Sequence, residues 1–237
     1  MLACAVIVLA QAIYVMLGFG AGLVALGFLV LARLDVPDVV IVLLLVSLPS
    51  EGFVMAASWR DIAWSQALRV CVGVALGTLV GTSLLRTSAP LLMLQTIAVL
   101  LVLFGVGSLW SARSTLVVRW PRWTQLPVGV SSGVLAGWLG VGGPPLVIYY
   151  RLAGVSKASF RSNLMAAFLA STIVRLAATP YAGLLTVPRL TSAACVLPAA
   201  LLGMWLGRCW HARISEAAFR TLVSLALIAT GAALLLC

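Results

Sequence analysis

Two charges, Glu51 and Arg175, stand well inside apolar stretches long enough to cross a bilayer. An ionisable side chain there is expensive, and by default it is a candidate for function. Each has a serine four residues earlier, Ser47 and Ser171, on the same helical face. An arginine so placed can hold the head of an oxyanion through two parallel hydrogen bonds. Glu51 suits either of two roles, a carboxyl that loads and releases a coupling proton or a fixed countercharge for Arg175. A third reading puts both near helix ends, reaching the interface along their alkyl stems. Asn163, Ser162, Ser171 and Thr172 add hydrogen-bonding groups to the Arg175 segment.

The backbone offers chemistry of its own. Gly140-Val141-Gly142-Gly143-Pro144-Pro145 interrupts an apolar run. Glycine carries a high entropic cost within a helix, and proline lacks an amide and clashes with the preceding turn. Backbone freed in this way persists in hydrocarbon only when buried in protein or lining a cavity. Paired interruptions of this kind point to the substrate site of a secondary transporter. The first half has a counterpart in Gly18-Phe19-Gly20-Ala21-Gly22. A helix restarting after each cluster presents unpaired amides and roughly half a positive charge at its N-terminus. Two such ends aimed at one cavity form an anion site without a formal charge. Pro144 and Pro145 suit the first turn of such a helix. The expected substrate-binding residues are therefore Gly18, Gly20, Gly22, Gly140, Gly142, Gly143, Pro144, Pro145, Asn163, Ser171 and Arg175, with Glu51 as the coupling residue.

The elements that must position these groups are apolar spans. Of 237 residues, 63% are hydrophobic and 8% charged, and the mean hydropathy is +1.19. So few charges cannot cover a soluble domain, which makes this an all-α polytopic membrane protein. Apolar segments fall at 4–32, 37–57, 67–85, 91–110, 127–150, 160–178, 190–207 and 217–237, most near the roughly 20 residues a crossing needs. The net charge of +10 is scattered singly between spans. That pattern fits topology signals and anionic headgroups, and without a basic face it argues against nucleic acid. Trp59, Trp64, Trp110, Trp120, Trp123 and Trp210 sit at span ends, as an interfacial belt requires, whereas Trp138 lies beside the second break. The cysteines Cys4, Cys71, Cys195, Cys209 and Cys237 are widely spaced and His211 is the one histidine, so no metal or haem ligand set is expected and no cofactor is called for. The N-terminal run ending Ala10-Gln11-Ala12 lacks a basic leader and continues as apolar sequence, so it reads as retained. Gly129-Val130-Ser131-Ser132-Gly133 matches the serine-hydrolase pattern G-x-S-x-G, but it lies in a membrane segment with no histidine–carboxylate pair at hand. An enzyme is not expected.

The two halves look like a duplication. Gly77 and Gly81 recur as Gly203 and Gly207, and Gly105 as Gly231, all 126 positions on; Gly18 and Gly20 recur as Gly140 and Gly142, 122 on. Ser47 and Glu51 fall on Ser171 and Arg175. The glycines of Gly73-xxx-Gly77-xxx-Gly81 and Gly203-xxx-Gly207 are expected to let helices pack closely. If all eight segments cross, six cations lie on one side (Arg60, Arg69, Arg113, Arg119, Arg122, Arg189) and eight on the other (Arg33, Arg86, Arg151, Lys157, Arg161, Arg208, Arg213, Arg220). If the two glycine-broken segments are instead re-entrant, only Arg33, Arg86 and Arg189 remain on one side and the other eleven face them. The positive-inside rule favours the second arrangement. Each half is then one hairpin plus three crossings, and the odd number inverts the second half relative to the first. This predicts a first repeat at 1–111, a cytoplasmic linker at 112–126, a second repeat at 127–237 and both termini outside. Kinked helices that cross completely are the alternative.

At these residues the chain resembles the TauE/SafE sulfite-exporter family, also known as the 4-toluene sulfonate uptake permease family. The most specific parts are Gly18-Phe19-Gly20-Ala21-Gly22 and the run GVLAGWLGVGGPP from Gly133 to Pro145, with Ser159-Phe160-Arg161 and Arg175 also similar. The resemblance implies a bacterial inner-membrane carrier for sulfite, sulfonates, sulfoacetate or related anions, built from two four-segment repeats. It also implies that the glycine–proline breaks and Arg175 belong to the substrate site. The first half lacks the proline that often follows the first glycine cluster of that family; Gly27 stands near its place. The expected function is secondary transport of a small sulfur-containing anion by alternating access, with Glu51 either coupling it to protons or neutralising Arg175. An anion channel of the same architecture is the alternative. The expected partners are the small anion and membrane lipid, and a homodimer is compatible with these features.

Overall fold

Inside hydrocarbon every backbone amide and carbonyl must be paired within the protein, and helices achieve this locally. The computed structural model describes residues 2–17, 21–111, 118, 120–210 and 216–236. Among these lie ten α-helices and no strand: α1 (Leu2–Leu17), α2 (Ala21–Leu31), α3 (Val36–Ser58), α4 (Trp64–Thr87), α5 (Pro90–Ser111), α6 (Gln125–Leu139), α7 (Gly143–Leu152), α8 (Lys157–Tyr181), α9 (Val187–Trp210) and α10 (Glu216–Leu236). Five stretches are long and apolar enough to cross a membrane, Val36–Asp61, Trp64–Thr87, Pro90–Leu109, Ala158–Tyr181 and Val187–Cys209. The second expected break is present, between α6 and α7, whereas the first, at residues 18–20 between α1 and α2, lies outside the described residues. Gly18 and Gly20 fall outside the described residues, as do Cys237, His211 and residues 112–117 and 119 of the linker.

The residues explain where helices stop. Gly140 adopts the left-handed conformation (φ 72°) at the end of α6, and its amide and that of Val141 donate to Ala136 O and Leu135 O at 3.0 and 3.2 Å. This is a Schellman-type stop that a side chain at Gly140 would strain. The chain restarts at Gly143 with Pro144 and Pro145 in the first turn of α7. At α8, Ser156 Oγ accepts from Ser159 N at 3.2 Å, a side-chain N-cap.

The second hairpin doubles back on itself. Val118, just before α6, donates its amide to the Leu152 carbonyl at the end of α7 at 2.7 Å, and the Trp120 and Tyr149 rings lie 6.2 Å apart. The first hairpin follows a similar path. α1 runs in the same direction as α9, with Gly203 against Val8 and Gly207 against Ala12, while α2 leads into the start of α3, where Asp38 pairs with Arg189 at the start of α9 at 2.8 Å. At 1.5 Å per residue, α6 and α7 reach only about 22 and 15 Å, short of a roughly 30 Å core.

Glycines set the closest helix contacts. Gly73, Gly77 and Gly81 of α4 face Gly129, Gly133 and Gly137 of α6 so closely that a Cβ on Gly77 would strike the Val130 carbonyl and one on Gly133 the Val74 carbonyl. The contact of α1 with α9 is its counterpart, since a Cβ on Gly203 would strike the Val8 carbonyl. α5 and α10 cross in a reciprocal way, Gly105 against Ser224 and Ile228, Gly231 against Ala98 and Val102. Each half thus lays its first helix on a helix of the other half. Lipid tails are as apolar as leucine, so close packing of this kind, rather than water exclusion, holds the helices together. Cys4, Cys71, Cys195 and Cys209 are free thiols.

These contacts predict a stability pattern. Gly77→Leu and Gly203→Leu should each cost about 1–3 kcal/mol or more through overpacking. Gly107→Leu, where a Cβ meets nothing within 4 Å, should leave the melting temperature in detergent within a few degrees of the parent.

Candidate functional site

The start of α2 meets the second break. A Cβ added to Gly22, at the start of α2, would lie 2.8 Å from the Gly140 carbonyl oxygen at the end of α6. Around this contact is a cavity of about 80 Å³, lined from α1, α2, α3, α6, α7 and α8. It is far smaller than the roughly 300–1,000 Å³ of drug-sized sites.

Both intramembrane charges face it. Glu51 and Arg175 are 6% and 7% exposed and line the same cavity, which overturns the reading of two side chains stretched to the interface. Arg175 Nη2 donates to the Val40 carbonyl at 3.3 Å, which fixes one edge of the guanidinium against α3. A guanidinium carries five N–H donors in a planar fork, so one bond leaves most of its capacity for a ligand. On Glu51, Oε1 accepts from the Tyr14 hydroxyl at 3.3 Å, while Oε2 is buried without a partner among the described residues. The ion pair that closes within 4 Å among these residues joins Arg189 to Asp38, not Arg175 to Glu51.

A polar ladder on α1 completes the wall. Gln11 Nε2 donates to Ser47 Oγ at 3.5 Å, and Ser50 Oγ donates to Gln11 Oε1 at 2.9 Å. Across the cavity, Ser171 and Thr78 hydroxyls lie 3.0 Å apart, and Thr172 and Phe168 are also in the lining. The tip of the second hairpin is held by Ser132, whose hydroxyl donates to the Gly142 carbonyl at 2.6 Å. A Cβ at Gly142 would meet Ala136 Cβ at 2.8 Å and Ser132 O at 3.1 Å. Gly142 and Gly143 sit at the start of α7, where amides lack partners within the helix, so the lining offers backbone donors next to the guanidinium.

Most of the residues expected from the sequence converge here. Gly22, Gly140, Gly142, Gly143, Ser171, Arg175 and Glu51 line the cavity. Pro144 and Pro145 stand behind it in the first turn of α7, where they carry no amide, so the donor set of that helix end is shorter than a full turn. Asn163 does not reach the cavity; its Oδ1 accepts from Ala63 N at 3.0 Å near the start of α4. Trp138 packs against Gly81 and is likewise absent from the lining. Gln11 and Tyr14 are the residues that reading the sequence missed. An amide in the middle of a run as apolar as α1 was the available signal. The G-x-S-x-G match lies within α6, not on a strand–turn–helix elbow, and its serines bond to Val128 O and Gly142 O.

Comparison with known proteins decides the family. The model of the family described as sulfite exporter TauE/SafE matches residues 3–234. The chain belongs to that family. A TauE/SafE relative from Cupriavidus necator, named as a probable sulfite/organosulfonate exporter TauE, is 27% identical over 222 residues, covering 92% of this chain and 87% of the relative. No solved structure matches. Family and relative alike are named for export, which agrees with membrane transport.

The tip geometry of this TauE/SafE chain yields a direct expectation. Gly140→Ala forces a side chain into the left-handed region at about 1–2 kcal/mol, and it should lower the melting temperature in detergent. Gly142→Ala, pressed against Ala136 and Ser132, should lower it as well, by about 1–3 kcal/mol of overpacking.

Proposed function

We propose that this protein is a secondary transporter of small sulfur-containing oxyanions, sulfite or organosulfonates, working by alternating access around the two hairpin tips. One observation carries the reading: the start of α2 at Gly22 meets the second break at Gly140 beside a small cavity lined by both intramembrane charges. The Cupriavidus necator relative is named for sulfite and organosulfonate, and Arg175 with the Gly142 and Gly143 amides supplies the planar and backbone donors that such anions accept. In this reading the anion sits between the tips, with Gln11, Ser47 and Ser171 hydrogen-bonding its remaining oxygens.

Glu51 is the proton carrier in this scheme. Its Oε1 is tied to Tyr14 and its Oε2 is free to take a proton. Protonation removes a negative charge from the anion's cavity, and deprotonation returns it and expels the anion. The two hairpins are re-entrant, the halves 1–111 and 127–237 are inverted repeats joined by a cytoplasmic linker at 112–126, and both termini face the periplasm across the inner membrane. The distribution of cations supports this topology, with Arg33, Arg86 and Arg189 on one side and eleven on the other.

The test is transport of radiolabelled sulfite into proteoliposomes. A carrier gives saturation and counterflow; flux that never saturates and shows no counterflow would indicate a channel instead. Arg175→Gln should weaken apparent affinity by about tenfold or more, and Arg175→Lys should recover only part, because a point charge cannot reproduce a planar fork. Glu51→Gln should keep exchange of sulfite for sulfite but lose the response to a pH gradient. If both variants transport like the parent, the charges take no part.

Topology is checked separately in a background with the native cysteines replaced. Asp35→Cys should react with a membrane-impermeant maleimide from outside, and Arg60→Cys only after the membrane is opened. Labelling of Asp35→Cys and of a cysteine at the N-terminus from opposite faces would remove the re-entrant assignment of the first hairpin.

A further inference from the structure

A second cavity, of about 380 Å³, lies at the end of the bundle where α4 and α6 begin and α7 ends. It shares no residue with the cavity between the hairpin tips, so the transport cycle proposed above leaves it unused. Two guanidiniums, Arg69 and Arg122, face it with the neutral donors Ser65, Gln66 and Gln125, and no carboxylate is among the described residues of its lining. Arg69 Nη1 donates to Gln125 Oε1 at 3.3 Å, which holds the guanidinium across the mouth between α4 and α6. Since α4 and α6 run parallel, the positive ends of two helix dipoles face the same space and add to the field of the arginines. The Trp120 and Tyr149 rings, 6.2 Å apart, supply an aromatic wall.

The position of this pocket selects its occupant. Trp59 and Trp64, with rings 4.7 Å apart, and the exposed Trp120 and Trp123 cluster at the same end, the pattern of a membrane–water interface. Under the topology proposed above, on which this step rests, that end is cytoplasmic. The lipid leaflet there carries anionic headgroups, and basic pockets between helices on that side hold them. We infer that this pocket binds the phosphate of an anionic phospholipid headgroup, with Arg69 and Arg122 on the phosphate oxygens, Ser65, Gln66 and Gln125 on the polar head, and the acyl chains running down the exposed outer face of α4. Leu68, Val72, Leu76 and Leu79 form that face, all more than 45% exposed. A free oxyanion shares the headgroup chemistry but has no use for an apolar face below the pocket.

Native mass spectrometry of the detergent-purified protein tests this without measuring transport. Added phosphatidylglycerol should be retained about tenfold or more strongly than phosphatidylcholine. Arg69→Gln with Arg122→Gln should abolish the preference, and each single change should reduce it, so an unstable double variant does not end the test. The paired lysine variants should keep most of it, since a phosphate accepts a point charge. Arg86→Gln, at the opposite end, should change nothing. Equal retention of phosphatidylglycerol by the parent and by the glutamine variants would overturn the assignment. So would a loss in Arg86→Gln as large as that in Arg122→Gln, which would mark a diffuse charge effect. If inorganic phosphate or sulfite at millimolar concentration raises the melting temperature through Arg69 and Arg122 while phosphatidylglycerol does not, the pocket is a soluble-anion site and the lipid assignment is wrong.

Discussion

Backbone cannot be left unpaired in hydrocarbon, and this constraint shapes everything around the two breaks. α6 ends at Gly140 and α7 restarts at Gly143 in the interior of the protein, so the groups between them need partners. Gly140 and Val141 turn their amides back into α6, and Ser132 covers the Gly142 carbonyl. What remains faces the tip of the other hairpin at Gly22 and a small polar cavity. The same physics that makes the breaks costly places them where a polar ligand is an acceptable neighbour. Glu51 and Arg175 are tolerable for the same reason, Glu51 bonded to the Tyr14 hydroxyl, Arg175 to the Val40 carbonyl, and both facing the cavity.

Tips can meet only if their arms are anchored, and glycine packing is the anchor. The α4–α6 contact, with glycines on both sides, and the α1–α9 contact each join a hairpin arm to a helix of the opposite half. A substitution on the α4 glycine row therefore displaces a tip from outside the cavity, whereas one at Gly203 also presses on Gln11 in its wall. In both pairs backbone lies against backbone, Gly77 at the Val130 carbonyl and Gly203 at the Val8 carbonyl, the close approach that small residues allow. α5 and α10, crossed through Gly105 and Gly231, tie the two halves to each other at their last helices.

How much of this was legible in the sequence depends on how rare each signal is. Glycine–proline clusters and single charges stand out against apolar sequence, so Gly22, Gly140, Gly142, Gly143, Glu51 and Arg175 could be found without coordinates. Ser47 and Ser171 followed from helical spacing. The glycines of α4 and α9 were readable as packing positions, but not their partners, because spacing along one helix does not say which helix lies opposite. Gln11 and Tyr14 were missed because α1 reads as a uniform apolar run. Their part emerges only when α3 crosses beside them and brings Ser47, Ser50 and Glu51 within reach. Asn163 misled for the converse reason. It shares α8 with Arg175 but sits twelve residues away, about 18 Å at helical rise, and serves the start of α4 instead.

The central claim is that the anion rests between the two tips. Selenite keeps the pyramidal oxyanion shape of sulfite and replaces sulfur with an atom visible by anomalous scattering. A crystal structure of the protein with bound selenite locates that atom directly. The account predicts an anomalous peak in the cavity bounded by Gly22, Gly140–Gly143 and Arg175, with an oxyanion oxygen about 3 Å from the guanidinium. A peak elsewhere, with the space between the tips empty of selenium, would contradict it.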